Sequence, residues 1–294
     1  MKHRNFTSAK AKEALLKDKE EIEMKMVPKP IIAWFSCGAT SAVACKIGLS
    51  MYDNVRVVYI ETGSSHPDNK RFLRDCENWF GVDIEILRSD KFADVDDVLL
   101  KKRYINGPHG ASCTSKLKKD VRYAYEDAIG NWGGQIWGFD YCEREINRAI
   151  RFKQQNPSTK PLFPLIEKMI TKEDALGMLK MAGIEIPTMY KLGYNNNNCI
   201  GCVKGGIGYW NKIRRDFPER FKRMAEIERI VGATCLKDAD GKRIYLDELE
   251  PDRGNDVTAI IPDCSLFCQI EFQEILDKQT RMVMEGKLKI SEIR

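Results

Sequence analysis

Ile31-Ile32-Ala33-Trp34-Phe35-Ser36-Cys37-Gly38-Ala39-Thr40-Ser41-Ala42-Val43-Ala44 is the stretch on which the fold turns. A short apolar run breaks into small residues, and a second apolar run with helix-compatible spacing follows. That order predicts a strand over 31–35, a tight loop, and a helix from about Ser41 to Met51. Small side chains let backbone N–H groups approach an anion, and a helix start adds partial positive charge. Ser36, Thr40 and Ser41 add hydroxyl donors, and Thr40 or Ser41 is placed to cap the helix. Two readings stand at this point: a phosphate-binding loop, or the ordinary strand–turn–helix junction of any α/β domain.

Outward from this stretch the alternation recurs. Val55-Arg56-Val57-Val58-Tyr59-Ile60 reads as a second strand, ending at Glu61-Thr62-Gly63-Ser64-Ser65-His66. Pro67 opens a helix carrying Phe72, Leu73, Cys76, Trp79 and Phe80. Val82-Asp83-Ile84-Glu85-Ile86-Leu87 alternates like a third strand, and Gly134-Gln135-Ile136-Trp137-Gly138 reads as a fourth. Strands alternating with helices imply right-handed crossovers, hence an α/β fold with a doubly wound, mostly parallel sheet. Ligands of such sheets lie beyond the carboxyl ends of the strands. Residues 36–41, 61–65 and Gly138 all fall there, which points to a nucleotide.

A charged segment over 8–26 reads as an N-terminal helix, ended by Val27-Pro28-Lys29-Pro30. Pro161-Leu162-Phe163-Pro164-Leu165 marks a change of character. The expected division is an N-terminal helical segment over 1–28, a nucleotide-binding domain over 29–160, and a Cys-rich, mainly helical, metal-binding region over 161–294. Thr171 and Asp174 have the spacing of a capping box, and 208–231 reads as helical and rich in Arg, Lys and aromatics.

The composition of the 294 residues, 43% hydrophobic and 31% charged, is that of a soluble globular protein. No apolar run approaches bilayer-spanning length, and basic Met1-Lys2-His3-Arg4-Asn5 leads into charged helix rather than an apolar signal region. A cytoplasmic protein without a membrane partner is expected. A net charge of +5 is too mild to argue for nucleic acid by itself. Residues 101–119 are different, with six Lys or Arg and no acid in a loop-like stretch containing Gly107, Pro108 and His109. Such loops are common at anionic sites, although a charge run is more often a solvated face. Arg144 and Arg148, one helical turn apart, could fork onto phosphate or sulfate, or could simply answer Glu143 and Glu145.

Ten cysteines are many for a chain of this composition, and in a reducing compartment they suggest metal ligation or redox chemistry. Cys37, Cys45, Cys76, Cys142 and Cys235 stand alone and read as small core residues. Cys199 and Cys202 form a C-x-x-C, and Cys264 and Cys268 a C-x-x-x-C. Together they can supply four thiolates to one tetrahedral centre, zinc or iron–sulfur. Cys113 sits apart in the basic loop, whose charge would lower its pKa and make it reactive.

These residues resemble a known family. Ser36-Cys37-Gly38-Ala39-Thr40-Ser41 looks like a variant of the PP-loop, usually Ser-Gly-Gly-x-x-Ser. Glu61-Thr62-Gly63 resembles the Asp-Thr-Gly-like segment after strand two of phosphoadenosine phosphosulfate (PAPS) reductases. Cys113 through Lys118 resembles their Cys-x-x-x-(Leu/Arg)-Lys element, and Gly138 through Ala149 their Gly-x-x-x-x-(Glu/Ser)-x-x-Arg-Ala segment. Four short matches in order, over 31 to about 150, resemble the PAPS-reductase-like branch of the adenine nucleotide α-hydrolase fold. The later stretch resembles C-terminal extensions of bacterial and phage relatives.

The resemblance implies roles. Ser36, Gly38, Ala39, Thr40 and Ser41 would hold nucleotide phosphates, while Ile60, Glu61, Thr62, Gly63 and Gly138 would frame the adenosine. Lys116, Lys118, Arg144 and Arg148 would face the remaining phosphate or sulfate, with Cys113, Lys116 and Lys118 as the catalytic candidates. Departures accompany it. Cys37 and Ala39 replace or shift the second loop glycine, and the reductases' C-terminal Glu-Cys-Gly-x-His, whose cysteine attacks sulfur, is absent. Related adenylylsulfate reductases hold a [4Fe–4S] cluster on a Cys-Cys pair and a later Cys-x-x-Cys. Here Cys113, Cys199 and Cys202 mimic that order, but Ser112 and Thr114 flank Cys113. Two ligand sets therefore compete: Cys199, Cys202, Cys264 and Cys268, which needs fewer coincidences, or Cys113, Cys199, Cys202 and a fourth.

The implied function is sulfur transfer or sulfonucleotide reduction on PAPS or ATP, with a [4Fe–4S] cluster or zinc as metal. A second class is an ATP-dependent enzyme that thiolates nucleic acid, gripping phosphates with 101–119 and 212–223 and stacking on Tyr209, Trp210, Phe217 and Phe221. A third is a non-catalytic nucleotide-binding protein with structural zinc. The expected partners are an adenine nucleotide and a nucleic-acid or small-molecule sulfur acceptor, and a homo-oligomer is left open.

Overall fold

Ile31–Phe35 (β1), Val55–Ile60 (β2), Ile84–Leu87 (β3), Gly134–Ile136 (β4) and Pro161–Leu162 (β5) pair in parallel in the order β3-β2-β1-β4-β5. These strands are taken from a computed structural model that describes residues 29–107, 110–238, 240–254, 283–287 and 289–290. All of β1 is buried, as an unbroken apolar run must be when both sheet faces are covered. Ile31, Ala33 and Phe35 join one core with Ala39–Met51 (α1) and Asn69–Phe80 (α2). Ile32 and Trp34 point the other way, to Val58, Tyr125 and Trp137, as the two-residue period of a strand requires. The Trp34 indole donates to Gln135 Oε1 at 2.9 Å, so this face leaves that polar atom satisfied.

The chain winds outward from β1 to β3, returns to β4 beside β1, and continues outward the other way to β5. The reversal between β1 and β4 is a topological switch point, and the crevice of such a sheet opens at the carboxyl ends there. The doubly wound parallel sheet expected from the sequence is the observed fold.

Several boundaries differ. The first helix starts at Ala39, the second at Asn69 after Pro67, and β3 begins at Ile84, because edge positions carry weak periodic signals. Val95–Lys102 (α3) makes the first part of the basic stretch helical, with Asp94 accepting from the Asp97 amide at its start. Thr114–Lys119 forms a wide, π-type turn that runs directly into Asp120–Ile129 (α4). Glu143–Gln155 (α5) follows β4.

The expected border at 160/161 is crossed by the structure. Pro161-Leu162 is the last strand of the sheet, too short to show a period. After Pro164–Glu167 (α6), Leu165, Ala175, Leu179 and Ile184 enter the same core as β1 and α1. The Thr171–Asp174 capping box closes the start of Lys172–Met181 (α7). Thr188–Lys191 (α8), Ile207–Asp216 (α9), Pro218–Val231 (α10) and the small antiparallel pair Leu236–Lys237 (β6) and Arg243–Ile244 (β7) complete the described chain. Pro218 breaks the expected helix over 208–231 in two, as proline does. The helix expected over 8–26 and the pair Cys264 and Cys268 lie outside the described residues.

Candidate active site

The loop after β1 is built on one unusual backbone angle. Cys37 has φ 58°, in the left-handed region that costs a residue with a Cβ about 1–2 kcal/mol. Its side chain is fully buried, with Sγ 3.9 Å from the Asn69 carbonyl oxygen. Burial also raises the thiol pKa far above its ordinary range, so Cys37 acts as packing rather than as a nucleophile. It occupies the position where the related loop pattern places glycine.

Gly38 is the N-cap of α1, and its extended backbone turns the chain into the helix. Neither Thr40 nor Ser41 is the cap. Ser41 reaches back instead: its buried Oγ accepts from Ser36 N at 3.0 Å, Ser36 Oγ at 3.0 Å and Gly38 N at 3.3 Å. The same hydroxyl donates to Gly38 O at 2.9 Å, so one side chain ties both ends of the loop. The Ala39 amide donates to the Tyr190 hydroxyl at 3.3 Å. Asn197 Nδ2 donates to Cys37 O at 2.6 Å and to Asn69 Oδ1 at 2.8 Å. Residues beyond the sheet therefore cover the loop, and no local pattern in the sequence signals Tyr190 or Asn197.

The other strand ends converge on it. A Cβ on Gly138, just past β4, would stand 2.6 Å from Ser41 Cα and 2.7 Å from Ser41 N, so only glycine permits this approach. After β2, Gly63 has φ 71° and its amide donates to Glu61 Oε1 at 2.9 Å. Thr62 is buried, and its hydroxyl lies 3.0 Å from Cys199 Sγ. The Ile200 amide donates to Ser64 O at 3.0 Å, so the Cys-x-x-Cys turn rests directly on the end of β2. An open groove of about 510 Å³ runs beside this turn, lined by Gly63, Ser65, Asp94, Ile200, Phe217 and Arg220.

The candidate cations are mostly paired. Arg144 and Arg148 both contact the buried Glu145, at 3.0 and 3.1 Å, the carboxylate-answering alternative of the sequence reading. The Arg148 guanidinium also lies 4.4 Å from the centre of the Phe139 ring. Lys116 pairs with Asp120 at 2.7 Å. Near the loop, burial raises the Asp140 pKa and lowers that of Lys172, and the two charges face each other. Lys172 lies over Tyr190, so this pair, which sequence reasoning missed, stands next to the loop's cover.

Cys113 differs from expectation. Burial pushes its thiol up to about 11, and the charges of Lys118 and Lys204 do not offset that. The cationic loop therefore does not make it a ready thiolate. The structure brings Cys113, Cys199 and Cys202 into one apolar cluster and, with them, Cys235, which the sequence offered only as a core residue. Among the described residues, no three His, Cys, Asp or Glu side chains are closed to metal-holding spacing. The donor set nevertheless fits a thiophilic metal group in kind. Arg220, whose Nε donates to Ile200 O at 3.1 Å, has a buried Nη2 with no hydrogen-bond partner, as suits a counter-charge to an anionic group.

Tyr209, Trp210 and Phe221 are buried in the core, so they are closed to base stacking. Of the cations of 212–223, Arg214 donates to Leu249 O at 2.7 Å and Arg220 contacts Asp96 at 2.5 Å, whereas Arg215, Lys222 and Arg223 are exposed. No helix among the described residues is long and apolar enough to cross a membrane.

Comparison with known proteins finds a family and several relatives. The model of the phosphoadenosine phosphosulfate reductase domain matches residues 29–205. An uncharacterized protein of Methanocaldococcus jannaschii is 24% identical over 216 residues, 69% of this chain and 42% of that protein. Adenosine 5'-phosphosulfate reductase of Pseudomonas aeruginosa is 24% identical over 185 residues, 58% of this chain and 66% of that protein. The chain thus spans less than two thirds of the length of either relative. The crystal structure of a PAPS reductase from Candida auris, a phosphate complex, aligns with a TM-score of 0.42 and 11% identity, over 68% of this chain and 97% of that one.

Proposed function

The chain belongs to the phosphoadenosine phosphosulfate reductase domain family, and we propose that it binds an adenine nucleotide at the switch point between β1 and β4 for sulfur chemistry. The observation that carries this reading is the convergence of three strand ends on one loop, with Gly138 pressed against Ser41. Phosphates sit at the start of α1, where the first-turn N–H groups and the helix dipole both favour an anion, with the Gly38 and Ala39 amides exchanging Ser41 Oγ and the Tyr190 hydroxyl for it. Ser36 and Thr40 add hydroxyls, and Ile60, Glu61, Thr62, Gly63 and Gly138 border the adenosine. Lys118 supplies positive charge toward the remaining anionic groups, and Lys116, Arg144 and Arg148 join it on exchanging Asp120 and Glu145 for the ligand.

Two nucleotides suit this site. With PAPS, a thiolate attacks the sulfur, the S–O bond breaks, and adenosine 3',5'-bisphosphate leaves with the bond's electron pair. With ATP, an acceptor oxygen attacks the α-phosphorus, pyrophosphate leaves, and a sulfur nucleophile then displaces AMP. Loop amides oriented before reaction would stabilise the developing charge in either case. A thiolate-held iron–sulfur cluster, or zinc, belongs to the same reading, with Cys113, Cys199 and Cys202 among its holders. The cluster would supply electron-transfer capacity beside Thr62, and zinc a fixed local fold. The groove beside Gly63 has the size of a small-molecule site, which favours a small sulfur acceptor over nucleic acid.

Thermal melts with ATP, PAPS and adenosine 5'-phosphosulfate test the binding. A ligand held at one hundred times its Kd stabilises by about 2.7 kcal/mol. If none of the three raises the melting temperature, the site assignment falls. Release of pyrophosphate against release of adenosine bisphosphate then decides the reaction.

A further inference from the structure

We propose that Tyr190 and Lys172 exchange roles on the loop after β1 when a nucleotide binds. In the free protein the Tyr190 hydroxyl holds the place of a phosphate oxygen; in the complex it gives up that place, and Lys172 becomes a ligand of the phosphate. The inference rests on the nucleotide reading above, to which it adds a built-in competitor and a further cation.

The loop itself defines the place of the hydroxyl. The Ala39 amide, in the first turn of α1, donates to the Tyr190 oxygen at 3.3 Å. A Cβ built on Gly38 would stand 3.3 Å from that oxygen, 3.6 Å from Ser36 Oγ and 4.0 Å from Ser41 Oγ. Three hydroxyl oxygens thus gather on one side of Gly38, beside an amide that opens a helix. Amides and hydroxyls so placed suit an anion. Burial raises the pKa of the phenol, so the oxygen that fills the place is uncharged. The contact is also longer than the usual N–H···O distance of about 2.9–3.0 Å. A hydrogen bond to a charged acceptor is roughly twice as strong as one to a neutral acceptor, so a phosphate oxygen displaces the phenol. Until then the phenol keeps the amide satisfied. The backbone on either side of Tyr190 is fastened elsewhere. Thr188 N donates to Asp68 Oδ2 at 2.9 Å, and Asn197 Nδ2 donates to Cys37 O at 2.6 Å. The exchange therefore falls to the Tyr190 side chain rather than to the whole cover.

Lys172 opens α7 directly after the Thr171 cap. Its Nζ lies 5.5 Å from the centre of the Tyr190 ring and donates to Asn195 O. Lys116, Arg144 and Arg148 each stand within 3.1 Å of a carboxylate oxygen. Lys172 closes no such pair among the described residues. Asp140 faces it, but that carboxylate accepts from Cys142 Sγ at 3.0 Å. Burial disfavours the Lys172 ammonium, so a phosphate beside it supplies a partner without first breaking an ion pair. Once the ring turns away, the ammonium remains next to the loop with one carbonyl contact.

Titration calorimetry of the full chain with ATP, PAPS and adenosine 5'-phosphosulfate tests the exchange in wild type, Tyr190→Phe and Lys172→Gln. Tyr190→Phe keeps the ring and removes the competing oxygen. Without ligand it should melt below wild type, yet it should bind nucleotide about two- to tenfold more tightly, the net worth of one hydrogen bond. Lys172→Gln should bind about tenfold or more weakly and with a shallower salt dependence, and Lys172→Arg should recover most of the loss. Should Lys172→Gln not fold, protection of Lys172 from acetylation by nucleotide in wild type gives the same answer. Hydroxyl-radical footprinting of wild type should show Tyr190 more reactive with nucleotide bound. Tyr190→Phe that binds no more tightly than wild type, or Tyr190 labelling that stays the same or falls, overturns the competitor. Wild-type affinity in Lys172→Gln, or acetylation of Lys172 unaffected by nucleotide, overturns the new ligand. Binding of no nucleotide to any of these proteins overturns the underlying reading instead.

Discussion

Gly138→Ala is the sharpest perturbation of the proposed nucleotide site. The added Cβ would lie 2.6 Å from Ser41 Cα, 2.7 Å from Ser41 N and 3.0 Å from Ser41 Cβ. Carbon atoms settle about 3.5–4.0 Å apart, so the shortest contact demands roughly 1 Å of extra separation. None of the first two atoms belongs to a flexible side chain, so the first turn of α1 and the end of β4 must part. Overpacking of this kind costs about 1–3 kcal/mol. The same shift moves the amides of Gly38 to Ser41 away from Gly138, on which the reading depends. We expect a lower urea midpoint at unchanged m-value, and nucleotide affinity reduced about tenfold or more, which is about 1.4 kcal/mol. Gly177→Ala is the control: it lies in α7, and its Cβ would meet nothing within 4 Å. That variant should gain about 0.5–1 kcal/mol and bind normally. A Gly138→Ala protein with wild-type stability and wild-type nucleotide shift would refute the convergence argument.

Ser41→Ala removes the acceptor shared by the Ser36 and Gly38 amides, so stability should fall by about 1–3 kcal/mol in denaturant titration and nucleotide affinity should fall with it. Cys37 separates strain from packing. Cys37→Gly relieves the left-handed backbone but loses the buried thiol, and should remain within about 1 kcal/mol of wild type, whereas Cys37→Ala keeps the strain and should be the less stable of the two. Asp68 accepts from Arg71 Nε at 2.7 Å, Arg71 Nη2 at 2.9 Å and Thr188 N at 2.9 Å, and this hydrogen bonding holds its carboxyl well below the usual range despite burial. A depressed folded pKa means that its contribution is present above the unfolded carboxylate pKa of about 3.9 and is lost as pH falls below it. Asp68→Asn should cost about 1–3 kcal/mol at neutral pH and flatten the stability profile below pH about 4. An unchanged acid limb in that variant would remove Asp68 from the account.

How much was legible in the sequence varies with the distance over which each feature is encoded. The apolar run of β1, the strand at Val55–Ile60 and the small residues after Phe35 are local signals, and they were enough to determine a parallel α/β sheet with a loop at its carboxyl edge. The capping box at Thr171 and Asp174 was legible for the same reason, since its partners are three residues apart. Pro161-Leu162 was not, because two residues carry no period and become a strand only by pairing with β4. Tyr190 and Asn197 reach the loop from more than 150 residues away, and no spacing rule joins them to Cys37 or Ala39. The cysteines show the same division. Cys199 and Cys202 announce themselves as a pair because a single turn sets their spacing. Cys113 and Cys235, isolated along the chain, join the same apolar cluster as that pair only in the folded chain. Burial there also reversed the charge argument for Cys113, since desolvation outweighs Lys118 and Lys204. Sequence by itself determined the sheet and the loop, which depend on neighbours. Tertiary structure decided the loop's cover and which thiols pack against one core cluster, because those depend on chain segments that meet only when the core closes.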